Sequence, residues 1–233
     1  MVNVQIFSAN ACPYAQRSRL TLLEKGVPFE VTEIDLRNKP DWFAEVSPYG
    51  KVPVLKHGEH RVWESAVVNE YLDEVFPEPP LMPEDPAERA IARIWIDFAN
   101  TKFTTAFYKL LISQEPEKQE EWSAELGQHL LFMEREGISK LSDGTAGPYW
   151  FGSSLSLVDV TYYPWFERFP VLTHYRGMEL PPECDRLRQW WSAMQERASV
   201  RQIANSADYY IEQYTQYANN TATGITAQEM RKY

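Results

Sequence analysis

Two cysteines, Cys12 and Cys184, are the only thiols in the 233-residue chain, and only Cys12 sits in a pattern suited to chemistry. Cys12-Pro13 stands where the alternating apolar run of Val2, Val4 and Ile6 gives way to a helical run reaching Lys25. That places Pro13 at the first helical position and Cys12 at the N-cap. There a thiolate meets unsatisfied N–H groups and the positive end of the helix dipole, which lowers a cysteine pKa from ~8.5 into the range of roughly 3.5–7.5. Arg17 and Arg19 add positive potential a turn or more further on. The motif Cys12-Pro13-Tyr14-Ala15 has no second cysteine within the turn, so a mixed disulfide formed here must be resolved by an external thiol, for which a small thiol peptide is the natural candidate. The competing reading makes Cys12 a cap or gap-filler. Cys184 lies between Glu183 and Asp185, whose carboxylates oppose thiolate formation, and is expected to be inert. No metal-ligand spacing accompanies either cysteine, and no metal is expected.

The elements that must position Cys12 follow from periodicity. After the first strand and helix, Phe29 to Ile34 alternates again; Val52–Leu55 and Arg61–Trp63 read as two short strands around a turn at His57-Gly58. Val67, Val68, Tyr71, Leu72 and Val75 then mark an amphipathic helix. Residues 1–77 thus read as βαβ, a short helix, then ββα. Five prolines in the ten residues 77–86 cannot continue a helix, so 78–86 reads as an extended linker. Helical periods dominate 87–218: Ile91, Ile94, Trp95 and Phe98 in one run, and Trp122, Leu126, Leu130 and Met133 in another. The Asp143–Pro148 cluster breaks these helices, Ser156 to Asp159 restarts one with a capping pattern, and Pro164 is expected to bend it. The polar tail 219–233 is expected to fray. The fold class is an α/β domain followed by an all-helical one.

Composition excludes several roles. A net charge of −10 disfavours nucleic acid and anionic membrane partners, which require clustered Lys and Arg. The N-terminus lacks the basic and apolar regions of a secretory leader, and no apolar stretch approaches the ~20 residues of a membrane span, so a soluble, cytoplasmic protein is expected.

The chain resembles the glutathione transferases, and within them the omega class, whose nucleophile is the cysteine of a Cys-Pro-Phe/Tyr-Ala motif. The resemblance runs over about residues 1–215, through Asn38-Lys39-Pro40-Asp41-Trp42-Phe43, Val52–Leu55, Glu64-Ser65, Glu70–Asp73 and Pro164–Arg168; the first and last of these are the most specific to omega-like members. It implies a thioredoxin-like domain followed by an all-helical domain, with glutathione as co-substrate. Carried over residue by residue, it makes Cys12 the nucleophile, places Lys39 near the glycine carboxylate of glutathione, pairs the backbone of Val52 with its cysteinyl unit, and makes Pro53 cis. Ser65 would hold the γ-glutamyl carboxylate and Glu64 the ammonium. Tyr14 matches the omega Phe and would pack and line the glutathione site. A second-substrate pocket between the halves would involve Trp165 and Tyr210. The implied activity is thiol transfer or reduction through a Cys12–glutathione disulfide, with dehydroascorbate, glutathionylated thiols or related oxidised compounds as acceptors, in a homodimer. The alternatives are a conjugating or dehalogenating transferase and a non-enzymatic binding module on the same scaffold.

Overall fold

In the computed structural model, residues 4–141 and 147–232 are described; Val2 and residues 143–146 of the expected helix break lie outside them. The chain divides into two compact units, Met1–Met82 and Pro83–Tyr233. The division falls inside the proline-rich segment.

The first unit runs β1 (Val4–Ser8), α1 (Pro13–Glu24), β2 (Glu30–Glu33), α2 (Phe43–Val46), β3 (Val54–His57), β4 (His60–Trp63) and α3 (Ser65–Val75). Its four strands lie in the order β2-β1-β3-β4; β1 and β2 are parallel, and the other two pairings are antiparallel. Because side chains alternate across a strand, Val4, Ile6 and Leu55 build one core with Leu22, Val68 and Leu72 of α1 and α3, whereas Phe7 and Val54 build another with Ile34 and Phe43.

Helix α1 begins with Pro13 directly after the N-cap Cys12, where a missing N–H costs nothing. It ends at Gly26, whose φ of 61° is the left-handed conformation that glycine tolerates. The closing bonds run from Gly26 N–H to Leu23 O and from Val27 N–H to Leu22 O.

The proline-rich segment is anchored within the first unit. The Lys25 ammonium, fully buried, pairs with Asp73 and donates to Pro79 O at 2.5 Å. The same Asp73 carboxylate accepts from the N–H groups of Leu81 (2.8 Å) and Met82 (3.1 Å).

The second unit is helical: α4 (Pro86–Phe98), α5 (Thr104–Ile112), α6 (Pro116–Phe132), α7 (Ser139–Leu141), α8 (Leu157–Glu167), α9 (Phe169–Arg176), α10 (Asp185–Gln195), α11 (Ala198–Ile203), α12 (Ala207–Ala218) and α13 (Ile225–Lys232). Wider π-type turns at Ala99–Phe103 and Met133–Ile138 follow α4 and α6.

Buried Asp159 organises this unit. It accepts from Trp150 N–H (3.0 Å), Ser156 N–H (2.7 Å), Ser156 Oγ (2.6 Å) and Trp190 Nε1 (2.8 Å), completing the capping box expected at Ser156.

Two expectations are corrected. Helix α4 buries Ala92, Trp95 and Ile96 and leaves Ile91 and Ile94 exposed, so its inward face is rotated from the predicted one. Helix α8 runs on through Pro164 to Glu167 and α9 starts at Phe169: Pro170 has no N–H to give Phe166 O, and Arg168 Nη1 donates to Pro164 O at 2.7 Å, which helps close the first segment. The tail does not simply fray but contains α13, closed back by Arg231 on Asn220 Oδ1 (2.7 Å) and Ala222 O (2.6 Å).

Candidate active site

The strand register gathers the predicted residues at one end of the sheet. Phe7 pairs with Val54, Val54 with Trp63, and Ser8 with Glu33. The chain after β1 (Cys12), before β3 (Val52 and Pro53), after β4 (Glu64 and Ser65) and after β2 (Lys39) therefore passes the same edge. Segments far apart in sequence become neighbours through three pairings.

Cys12 is half-buried at the N-cap of α1. A turn closed by Cys12 N–H to Ala9 O (2.9 Å) leads into it, and Gln16 N–H to Cys12 O (3.0 Å) is the first helical bond. Its Sγ lies 3.8 Å from Val52 O. The Val52–Pro53 bond is cis, and Val52 precedes the paired residues of β3, so its backbone stands outside the ladder.

Glu64, exposed, has φ 67° and ψ 111°, a left-handed conformation that costs a non-glycine residue about 1–3 kcal/mol and that clusters at ligand sites. It hands the chain to Ser65, buried at the start of α3. Beneath Ser65 lies Arg17, 1% exposed, with Nη1 3.4 Å from Ser65 Oγ and its guanidinium 5.2 Å from the ring centre of Tyr14. Ser18 donates to Asn69 Oδ1 at 2.9 Å alongside. The start of α3 is thereby backed by a buried cation, a setting suited to a carboxylate.

Lys39 donates to Gly50 O at 2.7 Å. Burial, and then the positive charge of Lys51, holds its ammonium below the ordinary lysine range. A partly desolvated ammonium beside a second lysine favours an anionic partner.

Trp165 and Tyr210 belong to the second unit. Both have no exposed surface; Tyr210 receives Asn205 Nδ2 at 3.2 Å and stacks under the Arg168 guanidinium at 4.1 Å. Both are core residues of the helical unit: Trp165 lies in the segment from Leu157 to Phe166, which is buried throughout, and Tyr210 is on the buried face of α12 with Tyr214 and Ala218.

Cys184 is likewise sealed in the helical unit. Burial and the carboxylate of Glu134 push its thiol up to about 12. Sequence reasoning missed the role of Arg17 under Ser65 and of Lys51 beside Lys39; the signal available was only a basic residue on the first helix and another before Val52. Among the described residues no group of three or more His, Cys, Asp or Glu side chains could hold a metal ion, and no helix is long and apolar enough to cross a membrane.

Comparison with known proteins identifies the family. Residues 11–75 match the family described as Glutathione S-transferase, N-terminal domain, and residues 116–190 match Glutathione S-transferase, C-terminal domain. Glutathione S-transferase omega-1 of Mus musculus is 35% identical over 222 residues, 93% of this chain and 85% of the relative. The structure of glutathione transferase Omega 3C from Trametes versicolor superposes with a TM-score of 0.81 at 31% identity, covering 94% of this chain and 91% of the other. Rice GST1 (OsGSTU1), solved in complex with glutathione, gives 0.82 at 27% identity over 95% and 99% of the two chains. With both domain families matched in order and omega-class relatives aligned over most of its length, the chain belongs to the glutathione S-transferase family and to its omega class.

Proposed function

We propose that this protein is a glutathione-dependent thiol transferase or reductase that works through a Cys12–glutathione mixed disulfide. The observation that carries the reading is the place of Cys12: half-buried at the N-cap of α1, 3.8 Å from the Val52 carbonyl and at the sheet end shared with Lys39 and Ser65. In this reading Val52 pairs its backbone with the cysteinyl unit of glutathione as an added strand pairs with a sheet edge. Lys39 takes the glycine carboxylate, Ser65 the γ-glutamyl carboxylate backed by Arg17, and Glu64 the ammonium.

The Cys12 thiolate attacks the glutathionyl sulfur of a mixed disulfide; the new S–S bond forms as the old one breaks, and the acceptor thiol leaves as thiolate and takes up a proton. A glutathione thiolate then attacks the glutathionyl sulfur on Cys12, releasing oxidised glutathione and restoring the Cys12 thiolate. With dehydroascorbate as acceptor, two glutathione molecules supply the two electrons and two protons that yield ascorbate. The protein acts as a cytoplasmic homodimer in this reading.

Incubation with oxidised glutathione near neutral pH followed by peptide mass mapping tests it. The adduct is expected on Cys12, with disulfide reduction lost in Cys12→Ser. An adduct on Cys184, or full reductase activity in the serine variant, overturns the mechanism.

A further inference from the structure

The turn that delivers Cys12 to α1 is held from both sides through one residue that the reaction does not otherwise use. Asn10 is a central residue of the turn closed by Cys12 N–H and Ala9 O. Its backbone N–H donates to the Glu33 carboxylate at the end of β2, and its side-chain Oδ1 accepts from Arg19 Nη1 of α1 at 3.3 Å. Just beyond β2, Ile34 N–H donates to Ser8 O at 2.7 Å. Arg19 is part-buried and its Nε has no hydrogen-bond partner, so the bond to Asn10 is the hydrogen bond that orients this guanidinium among the described residues. The turn is thus tied to the strand on one side and to the helix on the other, two residues before the thiol.

We propose that Asn10 is a positioning residue for Cys12: its Arg19 bond fixes the turn relative to α1 and so keeps Sγ at the helix N-terminus. This rests on the reading of Cys12 as nucleophile. A thiolate gains from backbone N–H groups and the helix dipole only within the first turn, so a turn free to swing lets Sγ leave that field and raises the thiol pKa. The effect belongs to the pair rather than to the charge of Arg19, because Asn10 carries none.

The test is the pH dependence of Cys12 alkylation by iodoacetamide, mapped by mass spectrometry in wild type, Asn10→Ala, Arg19→Met and the double variant, with glutathione affinity and melting temperature measured in parallel. Asn10→Ala is expected to move the alkylation profile upward so that the rate below the wild-type pKa falls about threefold, corresponding to about half a pKa unit. The double variant is expected to fall short of the sum of the singles, as for groups acting through one bond. An unchanged profile in Asn10→Ala, or strict additivity, overturns the inference. Failure of the parent reading is distinguishable: wild-type Cys12 then shows no low-pKa alkylation at all, whatever Asn10 does.

Discussion

Arg17 Nη1 stands 3.4 Å from Ser65 Oγ although 48 positions separate the two residues. A cation 1% exposed therefore underlies the start of α3. If Ser65 holds a carboxylate of glutathione, Arg17 supplies the charge while Ser65 supplies the contact. Arg17→Met is expected to weaken glutathione binding about tenfold, the scale of losing a hydrogen bond involving a charged group. Its melting temperature should fall as well, since the substitution also removes the buried contacts of the guanidinium, so affinity is measured at a temperature where the variant remains folded. Isothermal titration calorimetry and thermal unfolding check the two halves of this expectation.

Lys39 tests the opposite end of the site. Lys39→Ala is expected to raise the glutathione dissociation constant about tenfold without unfolding the chain. Because burial and Lys51 lower the Lys39 pKa, wild-type affinity should decline on the alkaline side at a lower pH than an exposed lysine would allow. Lys39→Arg should remove that decline, because a guanidinium stays charged. Affinity measured across the alkaline range reads both effects.

The two thiols should separate cleanly by pH. Cys184, pushed up to about 12, holds less than about 0.1% thiolate at pH 8, so folded protein should take alkylating reagent at Cys12 alone. The raised value also has a stability consequence. The unfolded thiol loses its proton near ~8.5 while the folded one keeps it, so stability contributed by the protonated Cys184 is complete below that pH and declines as pH rises above it. Cys184→Ala should flatten this alkaline limb in urea unfolding at pH 8 to 10.

Asp159 carries the helical unit. Four donors converge on its carboxylate, and Asp159→Ala leaves all of them in a dry interior. A loss of about 3–5 kcal/mol is expected, read from chemical denaturation. Asp159→Asn should fall between wild type and alanine, since one oxygen remains to accept.

The strand register explains what the sequence disclosed and what it withheld. Val4 and Ile6, the paired runs before and after Gly58, and the Cys12-Pro13 junction each announce local structure, because period and capping are local properties. Which ends of the strands meet is also legible once the βαβ and ββα order is read, and it brings Cys12, Val52 and Ser65 to one edge. The partners under that edge were not legible: nothing in Arg17 or Ser65 points to the other, since the contact exists only after α1 and α3 pack. The same holds for Trp165 and Tyr210. An aromatic residue on a helix carries no mark of which way it faces, and these two face inward. Ile91 and Ile94 of α4 err in the other direction, as apolar residues that the unit leaves outside.

The anchoring of residues 79–82 to Lys25 and Asp73 bears on where this chain can be cut. Five prolines in ten residues suggest a loose tether, yet its first half is stitched to Lys25 at the end of α1 and Asp73 near the end of α3. A fragment ending at residue 77 would leave the Lys25–Asp73 pair without the carbonyl of Pro79 and the N–H groups of Leu81 and Met82, and a buried ion pair stripped of its hydrogen bonds becomes a liability. A fragment carried on to Met82 retains them all. The N-terminal half of the protein, as a unit of inheritance or of engineering, therefore ends several residues later than its last helix does.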